Sequence, residues 1–87
     1  MKDKTRFAVV EDIEENSSIY ESEIKVRVTI RRDLEYKPSQ FTAGPYCLDV
    51  RVGQQHLSHY GLSEMCAREL ACRLLLRHVK GIAPILH

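Results

Sequence analysis

From Ile24 to Arg31 the chain alternates without a break. Ile24, Val26, Val28 and Ile30 share one parity, and Lys25, Arg27, Thr29 and Arg31 the other. A strand turns successive side chains to opposite faces, so this is the pattern of a strand with one face buried and one in water. The β-branched types suit such a pleated, half-covered surface. Tyr20 joins the inward parity, and a strand is expected over 19–32. The parity runs on through Leu34 and Tyr36 until Pro38, which is long for one straight strand, so a bulge or bend is expected near Arg31–Asp33. Two more strands are predicted. One covers 5–13, with Phe7 and Val9 on one face and Ala8 and Val10 on the other. The second covers 45–53, with Tyr46, Leu48, Val50 and Val52 inward and Cys47, Asp49 and Arg51 outward. Glu15-Asn16-Ser17-Ser18 reads as a turn, and Pro38, Ser39, Gly44 and Pro45 mark a loop. Gly53–Gly61 is polar and bounded by glycines, which predicts a strand end followed by a connection.

Over 62–80 the period changes to that of a helix. Ser63 suits the N-cap, Glu64 the first turn, Gly81 the C-cap, and Pro84 prevents continuation. Glu64–Arg68 and Glu69–Arg73 are i,i+4 pairs. The polar stripe is narrow: Glu69, Arg73, Arg77 and Lys80. At about 100° per residue, Leu70, Leu74, Ala67, Ala71, Leu75, Val79, Cys72, Met65 and Leu76 sweep over roughly 240°. A helix covering one sheet usually shows an apolar stripe of ~100° or somewhat more. Part of the surplus is spent because this is the only helix. The remaining flank, Met65, Cys72, Leu76 and Val79, is expected to meet a second copy of the chain. The apolar tail 81–87 either folds back on the core or reaches a partner, so Ile82, Ile85 and Leu86 join that candidate interface.

The order is therefore β-β-β-α. The expected fold is α+β: a single domain over 1–87, a three-stranded antiparallel meander with one C-terminal helix packed on its apolar face, and homodimeric. The dimer's geometry stays open between helix pairing and edge-to-edge joining of sheets.

Composition narrows the function classes without choosing one. A net charge of +1 exerts no global pull on nucleic acid or anionic membrane. No apolar run approaches the ~20 residues of a membrane span. The opening MKDKTRFAVVEDIEE has no apolar signal core, and a cytoplasmic location is expected. Cys47, Cys66 and Cys72 are an odd set without a CxxC, and reduced thiols are expected.

Candidate chemistry is thin. His56, His59 and Cys66 offer at most three zinc ligands, where a structural site wants four, and two exposed loop histidines are the ordinary reading. His78 reads as a packed helix histidine and His87 as terminal. Cys47 or Cys66 with His56 or His59, oriented by Asp49, sketches a nucleophile and base, but no oxyanion loop or nucleophile elbow accompanies them. No catalytic residue, metal ligand or cofactor is therefore expected. Charge is more suggestive. Residues 11–23 hold six acids and no base, while the next strand faces outward with Lys25, Arg27 and Arg31, joined by Arg51 from its neighbour. That face is a candidate for an anionic partner, nucleic acid included. Against this, Tyr20, Tyr36 and Tyr46 share the parity of the buried aliphatics, so they are not disposed to stack on bases. The expected function is a small non-catalytic interaction or regulatory module acting as a homodimer. The alternative is a nucleic-acid-binding protein using the basic strand face.

Overall fold

With its side chains a helix is about 10–12 Å across, wide enough to cover two strands spaced about 4.8 Å apart but not four. That single fact organises this fold. The computed structural model describes residues 6–18 and 23–81. It is α+β, with strands β1 (Phe7–Asn16), β2 (Lys25–Asp33), β3 (Tyr46–Val52) and β4 (Gln55–Leu62) followed by helix α1 (Glu64–Lys80). The sheet is an antiparallel meander in the order β1-β2-β3-β4. Among the described residues no helix is long and apolar enough to cross a membrane.

The sheet has four strands, where the sequence led us to expect three. The missing strand is β4, read as a connection. Val52 pairs with Gln55 across Gly53 and Gln54, and Gly53 has φ of +60°, at the turn position where a type II′ hairpin reserves glycine. The reason for the miss is burial. β4 is an edge strand whose residues from Gln55 to Tyr60 are all exposed, so no buried face imposes an alternation on them.

The register shows where the helix sits. Val28 pairs with Val50 and Ile30 with Leu48, and these four are buried together with Val26. On the same face the outer strands contribute Ile13 and Glu11 from β1, and Leu57 and His59 from β4, none of them buried. Helix α1 touches β2 and β3, and it does so closely because Ala67 and Ala71 form its inner stripe. Fully burying each aliphatic contributes about 1.5–3 kcal/mol, so these two central strands carry most of the stabilisation.

The helix ends are satisfied from nearby. Ser63 Oγ accepts the Cys66 N–H at 3.2 Å, and Gly81 closes the helix with φ of +71°. At the other end, the Ser17 and Ser18 hydroxyls donate to the carbonyls of His78 and Val79 at 2.6 and 2.8 Å. The turn after β1 is thereby fastened to the end of α1. The bend expected near Arg31–Asp33 takes a different form: β2 stops at Asp33, and the irregularity lies in β1, where Val10 is skipped between Val9 and Glu11. Tyr20 and the tail residues Ile82, Ile85 and Leu86 lie outside the described residues.

Candidate functional site: the open face of the sheet

Among the described residues no element covers the face opposite α1, which antiparallel sheets tolerate when that face is polar. Here it is laid out in rows across the strands. One row runs Glu14, Arg27, Arg51, His56; the next runs Asp12, Thr29, Asp49, Ser58; a third sets Val9, Arg31 and Cys47 side by side. Arg27, Thr29, Arg31, Asp49, Arg51 and His56 line a shallow basin of about 330 Å³. Arg27, Arg31 and Arg51, singled out from the sequence, thus share one site. Lys25 stands at the start of β2 on the same face, exposed and opposite Asn16.

Most of this charge is already paired. Arg27 grips Asp12 with two hydrogen bonds, at 2.9 and 2.5 Å, and Thr29 donates a third to Asp12 at 3.0 Å. The Arg27 guanidinium, helped by the Thr29 hydroxyl, holds the Asp12 carboxyl down to about 2. Arg31 pairs with Asp49 at 2.6 Å, and its guanidinium lies 4.8 Å from the centre of the Phe7 ring. Asp49 also accepts from the Ser58 hydroxyl and has His56 Nε2 at 3.5 Å. Arg51 is different. Among the described residues it has no carboxylate partner, and its cross-strand neighbours are Arg27 and His56.

Asp33 anchors one end of this face. Its carboxylate accepts two hydrogen bonds from Arg6, at 3.0 and 2.9 Å, the Glu35 N–H at 2.9 Å, and the Tyr60 hydroxyl. To reach it from β4, the Tyr60 side chain must cross β3. Cys47 is buried beneath this layer with its sulfur 3.6 Å from Arg31 Nη2. Burial first, and the Asp49 charge second, push its thiol pKa up. A buried thiol kept protonated is a poor nucleophile.

The histidines diverge. His56 pairs with Arg51 on the open face and His59 with Leu48 on the helix face, so the sheet stands between them. Three apart on a strand, they have opposite parity, a consequence invisible while the segment is read as a connection. Among the described residues no cluster of histidine, cysteine and carboxylate has metal-binding geometry. Cys66 is partly buried in the first turn of α1. Of the flank proposed for dimer contact, Met65 is 79% exposed, Cys72 is exposed and Leu76 half-buried, whereas Val79 is packed in the chain's own core.

The members that the sequence did not bring forward are Asp12, Thr29 and Ser58, along with Asp49 in its charge-pairing role. Each lies in the row beside the arginines, and only the strand register assembles them. Comparison with protein-family models, curated proteins and solved structures finds no match for this chain.

Proposed function

We propose that this chain is a small non-catalytic interaction module that works as a homodimer, two copies joining by antiparallel pairing of their β4 edges. The supporting observation is the contrast between the two sheet edges. β1 carries Glu11, Asp12, Glu14 and Glu15, the kind of charge that keeps an edge from pairing. β4 from Gln55 to Tyr60 carries no acid, lysine, arginine or proline, and every residue there is exposed. Leu57 stands 65% exposed in the middle of that stretch. An unguarded edge of this length is a template for another strand, and an identical copy presents the same template related by a two-fold axis. The open face of each copy then stays free for a further partner.

Pairing of the arginines with Asp12 and Asp49 argues against the nucleic-acid alternative. A phosphate backbone needs a run of uncompensated cations, and β2 offers ones already engaged.

Sedimentation at tens of micromolar should give the mass of a dimer. Leu57→Lys should give a folded monomer whose urea midpoint does not change with protein concentration, whereas that of the paired wild type rises with it. A wild-type monomer at that concentration would overturn the proposal. Dissociation by Met65→Glu but not by Leu57→Lys would move the contact to the helix flank and overturn the edge geometry.

A further inference from the structure

We infer that the basin on the open face is a binding site for a single phosphate group. Two features of the basin lead there, and neither depends on how β4 pairs. The first is the Arg27–Arg51 pair, which puts like charges on directly opposed residues of adjacent strands, with His56 next in the row as a further hydrogen-bonding group. Opposed side chains in such positions are about 4.5–5.5 Å apart at Cβ, and like charges there destabilise the sheet. Folding gains nothing from that arrangement, whereas an anion seated between the side chains is attracted by each.

The second feature is the way the acids are used. Asp12 holds Arg27 through a two-pronged contact, and Asp49 holds Arg31. Both arginines are thus held by carboxylates, and among the described residues Arg51 is left as the basin's uncompensated cation.

The same surroundings select one phosphate rather than a chain of them. Glu14 and Asp12 on β1 flank the basin on one side, and a polyanion leaving it in that direction meets carboxylates at once. A lone phosphate group, whether free or borne by a small molecule or a phosphorylated side chain, sits against Arg51 and Arg27, and the one carboxylate in the lining, Asp49, is already paired with Arg31. The phosphate's three oxygens also match several donors better than the two of a carboxylate do.

The test is a titration of the full chain with inorganic phosphate, followed by amide NMR shifts at constant ionic strength set with chloride. Saturable shifts centred on Thr29, Arg51, His56 and Ser58 are expected, with sulfate competing. Arg51→Gln, at an exposed position with no ion-pair partner among the described residues, should weaken binding about tenfold, as removal of one charge-assisted contact implies. A phosphorylated peptide that binds where its unphosphorylated form does not would point to a side-chain source, and phosphate alone to a small-molecule source. Shifts that never saturate, or that saturate equally in Arg51→Gln, would overturn the site. So would affinity for single-stranded DNA that rises steadily with oligonucleotide length, since that marks a polyanion track.

Discussion

Leu48→Ala is expected to lower stability by about 2–5 kcal/mol, the usual cost of emptying a fully buried leucine site. A domain of this length has a total stability on the order of 4–13 kcal/mol, so the change removes a large share of it. Leu48 is 0% exposed and sits in β3, paired with Ile30, in the strip that α1 covers. The site cannot collapse easily. Its ceiling includes Ala67 and Ala71, which have no side-chain length with which to fill a cavity, and its floor is a hydrogen-bonded sheet. Urea unfolding in the Leu57→Lys background isolates the effect from any contribution of pairing between copies. The midpoint should fall with the slope unchanged, and the thermal midpoint should fall by roughly 10 °C or more. A loss below about 1 kcal/mol would mean that the α1–sheet contact is looser than the structure has it.

The same geometry explains which parts of the fold could be read from the residues. Val26, Val28 and Ile30, with Leu48 and Val50, alternate cleanly because a single helix covers β2 and β3 and selects aliphatics there. Ser63 and Gly81 announced the ends of α1 because caps depend on local backbone chemistry, which a sequence carries directly. β4 left no periodic trace because neither of its faces is buried up to Tyr60, and its hairpin signal was one glycine in a polar stretch. The basin was half legible. Parity alone placed Lys25, Arg27, Arg31 and Arg51 on one face, but the pairing of Arg27 with Asp12 and of Arg31 with Asp49 depends on register. The register from Asn16–Lys25 to Glu11–Ile30 depends on the length of the turn between β1 and β2, which the polar cluster after β1 leaves open, and the Val9–Glu11 irregularity shifts only the Phe7–Val9 end.

Asp33→Asn is the second substitution expected to act strongly, and its effect should depend on pH. Asp33 closes the end of the open face: it ties Arg6 before β1, the turn after β2, and Tyr60 of β4 to one carboxylate. Its backbone joins in, with the Asp33 N–H donating to the Pro45 carbonyl at 2.8 Å. The substitution keeps the shape but removes the charge, and it turns one acceptor into a donor facing either Arg6 or Tyr60, both of which also donate. The two hydrogen bonds from Arg6 chiefly, then the one from Tyr60, hold the Asp33 carboxyl well below the ordinary carboxylate range. A group whose pKa is lowered by folding contributes stability that is complete above its unfolded pKa, about 3.9 for aspartate, and that is lost as pH falls through the folded value. The wild type should therefore exceed Asp33→Asn in urea midpoint at pH 7 by a clear margin, and the gap should shrink as the pH is taken to 3 and below. Asp12, held down to about 2 by Arg27, titrates in the same direction in both proteins, so it cancels in their difference. A gap that stays constant from pH 7 to below 3 would show that the carboxylate's charge is not what closes this end of the sheet, and that only the shape of the Arg6–Asp33–Tyr60 cluster matters.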